Sequence, residues 1–127
     1  MIYSKLITST DITVPVEAFV SSTTGGPIGG SVTGQVNAIT TMILCNTGTP
    51  TITDESVNSV NINVYLVKNG DVAGAKNTIV SNLTIPAGET VFFSDEKIIL
   101  DSGDEIWVST NDSTGALIAF TVSTLPV

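Results

Sequence analysis

The chain has 127 residues, enough for one domain whose core needs no covalent staples. It is 42% hydrophobic but only 13% charged, and twelve acids against four lysines, with no arginine and no histidine, leave a net charge of −8. That balance excludes direct binding to nucleic acid or to anionic membrane surfaces, because both need clustered Lys or Arg. The absence of histidine excludes Ser-His-Asp and Cys-His catalysis and any zinc site that uses His.

Cys45 is the single cysteine, so no internal disulfide is available, which fits synthesis in a reducing compartment. Met1 to Ser9 lacks the basic and apolar regions of a signal peptide, and no apolar run approaches membrane-spanning length.

Tyr3 to Val14 reads as one strand or two short ones broken around Ser9-Thr10-Asp11, and Pro15 ends the run. Val16 to Val20 is a further short strand. Ser21 to Gln35 (SSTTGGPIGGSVTGQ) is a long Gly-rich loop whose large apolar residues are Ile28 and Val32. Loops of this length in compact domains are usually functional or disordered. The sharper expectation is an arm that orders on a neighbouring subunit, anchored by Ile28 and Val32.

Val36 to Asn46 is apolar at both parities, with Val36, Ala38, Met42 and Leu44 on one face and Ile39, Ile43 and Cys45 on the other. This predicts a central strand covered on both sides and a buried, inert Cys45 thiol. Thr47-Gly48-Thr49-Pro50 turns, and a polar loop follows to Asn58. Val60 to Val67 alternates cleanly, with Val60, Ile62, Val64 and Leu66 pointing one way and Asn61, Asn63 and Tyr65 the other. Asn69-Gly70 signals a hairpin turn, since both residues tolerate positive φ.

Leu83 to Thr110 (LTIPAGETVFFSDEKIILDSGDEIWVST) has no room for a helix. A strand from Thr78 stops at Pro86-Ala87-Gly88, where Pro presets φ and Gly accepts φ > 0. Strands then follow at Glu89–Phe93 and Ile98–Leu100, a turn at Asp101-Ser102-Gly103-Asp104, and a strand in which Ile106 and Val108 alternate with Glu105, Trp107 and Ser109. Leu117 to Val122 closes the domain. About eight strands at roughly 8 to 14-residue spacing, each bounded by turn formers, predict an all-β protein, a single antiparallel β-sandwich or jelly roll.

Carboxylates are the chemical resource left: Asp54-Glu55, Asp95-Glu96 and Asp101/Asp104/Glu105. Each cluster lies in or beside a predicted turn, where acids serve turn geometry and solubility, so no catalytic residue, cofactor or metal site is assigned. Asp101, Asp104 and Glu105 supply hard oxygens suited to calcium, but their spacing is not that of an EF-hand. Gly25-Gly26 and Gly29-Gly30 match no phosphate-binding fingerprint. Tyr65 and Trp107 both fall opposite the core-facing positions of their strands; exposed together they would anchor a partner or stack on a sugar.

The stretches Thr13-Val14-Pro15, Leu44-Cys45-Asn46-Thr47, Val64-Tyr65-Leu66-Val67, Ile85-Pro86-Ala87-Gly88-Glu89-Thr90 and Leu100-Asp101-Ser102-Gly103-Asp104, in that order, resemble small β-sandwich virion proteins of tailed bacteriophages, notably of cyanobacterial and marine phages. The likeness runs from Ile12 to about Ser109, and Ser21 to Gln35 departs from it as an insertion. The resemblance implies a structural part of the particle, foremost a head decoration or cement protein, otherwise a tail or neck component. It implies symmetric homo-oligomers, other virion proteins as partners, location in the virion, and no catalytic residues. A glycan-binding, adhesin-like module is the alternative from a different class.

Overall fold

In a computed structural model the described residues are 1–21, 36–54, 56–94 and 97–127. They form nine strands: β1 Ile2–Leu6, β2 Val16–Val20, β3 Asn37–Asn46, β4 Val60–Val67, β5 Thr78–Ile85, β6 Thr90–Phe93, β7 Ile98–Leu100, β8 Glu105–Thr110 and β9 Ile118–Pro126. A single 3-10 turn, Ala75–Asn77, precedes β5. All pairings are antiparallel, in two sheets: sheet A in the order β1-β9-β3-β6, with β7 also on β3, and sheet B in the order β2-β8-β4-β5.

β6 pairs with the second half of β3 and β7 with its first half, so the two occupy one strand position interrupted by a connection. Counted as one, they leave eight strands, and the chain changes sheets at every connection except β4–β5 and β6–β7. This is the jelly roll, two four-position sheets wound together so that the first and last strands lie side by side. The expected fold class holds, and the jelly-roll option is the one realised.

The core lies between the sheets. Phe19, Ile62, Val64, Ile106 and Val108 of sheet B face Ile39, Met42, Leu44, Phe120 and Val122 of sheet A, all essentially without solvent exposure. Each such side chain removed from water contributes on the order of 1.5–3 kcal/mol. Tyr3 meets Phe19 edge to face at 5.9 Å, which ties β1 over β2 at one margin.

The two turn motifs of Leu83–Thr110 turn out to be corners between sheets. Pro86-Ala87-Gly88 takes the chain from β5 in sheet B to β6 in sheet A, closed by Glu89 N–H donating to the Pro86 carbonyl at 3.1 Å, with Gly88 at φ +79°. Asp101 to Asp104 takes it back from β7 to β8, with Gly103 at φ +91°. At Gly103 a Cβ would stand 2.6 Å from Asn69 Nδ2, so glycine is required there on both counts.

Four expectations need correction. First, strand β1 ends at Leu6 and residues to Val14 are not strand. The buried Ser9 diverts the chain: its hydroxyl donates to the Val14 carbonyl at 2.8 Å, and the Thr110 hydroxyl donates to the Ser9 carbonyl at 2.6 Å. Second, Asn69-Gly70 does not close a two-residue hairpin. Only Gly70 has positive φ, in a turn from Lys68 to Asp71, and the 3-10 turn follows before β5 begins.

Third, β3 does not present Met42 and Leu44 beside Ala38. A bulge between Ile39 and Thr41 inserts one residue, so Ile39, Met42 and Leu44 are buried together while Ala38, Ile43 and Cys45 are half-buried on the outer side. Fourth, it follows that Cys45 is not a core thiol and that β3 is buried on one face only.

Candidate functional site

The register places the outward positions of sheet A in rows. Ser4, Thr121, Ile43 and Phe92 form one; Leu6, Ala119, Cys45 and Thr90 the next; Ile2, Ser123 and Thr41 a third; Leu125, Ala38 and Ile99 a fourth. None of these side chains is charged. Ile2 is 74% exposed and Phe92 63%, and Leu6, Ile99 and Leu125 are exposed as well. An antiparallel sheet with one solvated face ordinarily carries polar and charged residues there. Here the solvated face carries aliphatic, aromatic and small hydroxyl side chains.

The charged residues among those described lie elsewhere. They stand in connections or on sheet B, with the exception of Lys5. Lys5 sits on the inward side of β1, and its ammonium reaches across to donate to the Glu17 carbonyl of β2 at 2.6 Å.

The outer face of sheet B is different. Tyr65 and Trp107 both fall there, opposite the core-facing positions of their strands, and the register makes them direct cross-strand neighbours. Tyr65 is only 7% exposed, however, and its hydroxyl lies 3.2 Å from both Ser109 Oγ and Asn63 Nδ2. Residues Ile12, Thr13 and Pro15 on one side and Ala73 to Ala75 on the other flank it around a groove of about 330 Å³. Trp107 is half-buried, with its indole N–H donating to Glu105. The two aromatics are therefore cross-strand neighbours, but they do not form an open stacking platform. Ile28 and Val32, the other expected partner-binding residues, lie outside the described residues, as does the rest of 22–35.

The carboxylates are occupied by local structure. Both oxygens of Asp104 accept backbone N–H groups, from Asn69 at 2.9 Å and Asp101 at 3.0 Å, while Glu105 faces Trp107. The Asp101 turn thus does not gather its acids around one point, and no group of three His, Cys, Asp or Glu suited to a metal occurs among the described residues. Asp54 accepts the Ser56 hydroxyl and N–H, which hold its carboxyl below the usual range; Glu55, Asp95 and Glu96 are outside the described residues. Glu17 is pushed up, first by partial burial and then by its hydrogen bond to Glu105 across the β2–β8 pair.

Sequence reasoning passed over two polar hubs. Asn46, fully buried, donates from Nδ2 to the Asn58 carbonyl at 2.6 Å and the Ile85 carbonyl at 2.9 Å, and accepts Gly48 N–H at 2.9 Å. Its backbone also pairs with Gly88 and Glu89. The Leu44–Thr47 and Ile85–Thr90 stretches are thus one hydrogen-bonded corner. Asp112 anchors the β8–β9 connection through four bonds, from Thr114 N–H and hydroxyl, Ala116 N–H and Leu117 N–H. Both hold the frame.

An apolar cleft of about 500 Å³ opens between the sheets at the β5–β6 margin, lined by Met42, Leu66, Ile79, Phe92, Phe93 and Ile98 among others. Its Phe92 rim is continuous with the uncharged outer face of sheet A. Comparison with protein-family models finds none that matches the chain, and comparison with curated proteins finds no match either.

Proposed function

We propose that this protein is a structural subunit of a phage virion, foremost a capsid decoration or cement protein that oligomerises and binds repeated capsid subunits. The observation that carries the proposal is the outer face of sheet A, an exposed sheet of four strand positions without a charge in a chain of net charge −8. Its exposed Ile2, Leu6, Phe92, Ile99 and Leu125, set among small uncharged side chains, are the kind of apolar surface that marks protein interaction sites. A jelly roll is also an architecture that viral coat proteins use, which supports the reading without deciding it.

The mechanism is passive. The hydrogen-bonded corners at Asn46 and Asp112 hold the strand ends, so the face is presented rigidly and little ordering entropy is lost on docking. On a lattice of identical sites, several modest contacts made at once give firm attachment. The same mechanics would serve a tail or neck ring.

The experiment is mass spectrometry of purified particles together with co-sedimentation of the purified chain with particles lacking it. Presence in virions and saturable binding in a fixed ratio to the capsid or tail protein are expected. A strictly monomeric protein absent from particles would refute the proposal. The glycan-binding alternative has the groove beside Tyr65 and Asn63 in its favour. Glycan-array binding that disappears in Trp107→Ala would establish it, but the burial of Tyr65 speaks against an open aromatic platform.

A further inference from the structure

We infer that the outer face of sheet A is occupied by the same face of a second copy of this chain, so that the working unit is a face-to-face dimer. The inference rests on the assembly reading above and names the occupant of that surface.

Charge selects this occupant. Two copies bring −8 against −8, and a contact through any acidic connection or through sheet B would set like charges together. The outer face of sheet A is the broad surface from which the described charges are missing. Docked through it, each copy keeps its sheet-B acids behind its own sandwich. They then lie about 20 Å or more from the partner's, since stacked sheets are about 10 Å apart. At physiological salt that separation is at least about two screening lengths, so Glu17 and Glu105 of sheet B add little repulsion. A charged partner, by contrast, would find no complementary group on this face.

Area agrees. β3 has 10 residues and β9 has 9, and the sheet is four strand positions wide. With β1 of 5 residues at one margin and β6 and β7 of 4 and 3 at the other, about 3.3 Å per residue and 4.8 Å between strands give the face roughly 500 Å² in plan. Side-chain relief brings the accessible area toward the roughly 800 Å² per partner of a stable interface. The composition also fits an isologous contact. The two middle strands, β9 and β3, present mainly small residues such as Ala119, Thr121 and Ala38, while the bulky Ile2 and Phe92 stand on opposite margins. Such a face packs on its own copy without a large protrusion meeting another at the centre.

The test is sedimentation equilibrium of the full chain and of Thr121→Lys and Phe92→Glu, each checked for retained fold by circular dichroism. Thr121 lies mid-face and Phe92 is exposed at its margin, so at least one substitution leaves the core untouched. The unmodified chain is expected at twice its 13.1 kDa mass. Thr121→Lys should weaken the dimer at least about a hundredfold, because a mid-face charge is then buried without a partner, and Phe92→Glu should weaken it by a smaller factor from the margin. The Cys45 thiol, half-buried on the same face, should react more slowly with a thiol reagent as protein concentration rises. A monomeric chain, or an oligomer that neither substitution affects, would overturn the inference.

Particle binding separates this inference from the function it rests on. A monomer that still co-sediments with particles, and loses that binding in Thr121→Lys, removes the second copy and keeps the virion role. A dimer sensitive to both substitutions but absent from particles keeps the dimer and removes the role.

Discussion

Asp112 offers the sharpest check on how the frame is held. The residue is 4% exposed, and its carboxylate accepts four hydrogen bonds of 2.8–3.0 Å, from Thr114 N–H and hydroxyl, Ala116 N–H and Leu117 N–H. Replacing it with alanine strands three backbone donors. Hydrogen bonds to a charged group are worth about 1.5–3 kcal/mol each, but Thr114 and Ala116 are exposed and water can reach part of the loop. The expected loss is therefore about 2–4 kcal/mol at neutral pH, well short of the sum. Asp112→Asn keeps one acceptor and turns an NH2 group toward the remaining donors, so it should fall between alanine and the native chain.

The pH dependence has a definite sign. Burial pushes the Asp112 carboxyl up, but the donors from Thr114, Leu117 and Ala116 together outweigh it and leave the group below its ordinary value. A depressed folded-state value means that the carboxylate's contribution is complete above the unfolded value of about 3.9 and is lost as pH falls through the folded one. Urea denaturation of native and Asp112→Ala protein, at neutral pH and again below pH of about 3, measures both effects. The gap between the two should narrow on acidification. A neutral-pH difference under about 0.5 kcal/mol, or one that does not change with pH, would refute the assignment of Asp112 as the loop's anchor.

Asn46→Ala should cost about 2–3 kcal/mol in chemical denaturation, since it strips the buried Ile85 carbonyl and Gly48 N–H of their Asn46 partner, while water can reach the Asn58 carbonyl. Gly103→Ala should lower the thermal midpoint by an amount equivalent to about 1–3 kcal/mol, because φ is +91° and the new Cβ meets Asn69. Tyr65→Phe should cost about 1 kcal/mol through the unpaired Ser109 hydroxyl and leave self-association and particle binding unchanged. A larger effect on binding than on stability would return Tyr65 to the interaction surface.

Turn formers bounding short runs rich in apolar and β-branched residues were enough to read most strands from sequence, and Val60–Val67 also alternates cleanly. Val60–Val67, Thr78–Ile85, Val16–Val20 and Ile98–Leu100 match the observed elements residue for residue. The Pro-Ala-Gly and Asp-Ser-Gly-Asp turns were equally legible, since only particular residues tolerate those backbone angles. Their role as corners between sheets was not legible, because local chemistry sets a turn's shape and not which sheet receives the next strand. Ser9 and Asn46 were missed for a related reason. A buried Ser or Asn carries the same letters as an exposed one, and their partners, Thr110 and Ile85, lie 101 and 39 residues away.

The bulge in β3 links that blind spot to the function proposed here. One extra residue between Ile39 and Thr41 leaves Thr40 donating its hydroxyl to the Ser123 carbonyl at 3.1 Å and reverses the parity of everything after it. Without it, a strand that buries Ile39 would turn Met42 and Leu44 outward and bury Ile43 and Cys45. With it, the two larger unbranched or γ-branched side chains fill the core beside Phe120 and Val122, while Ile43 and Cys45 complete the uncharged outer rows. Thr40 suits this position because its hydroxyl supplies a hydrogen bond that an irregular ladder lacks. The same bulge that fits the strand to its core therefore also decides which side chains the outer face offers. Removing Thr40 should consequently disturb stability and self-association together, whereas Thr121→Lys should disturb self-association alone. Stability read by denaturation and mass read by sedimentation, on both variants, distinguish a face built by register from one that merely happens to be apolar.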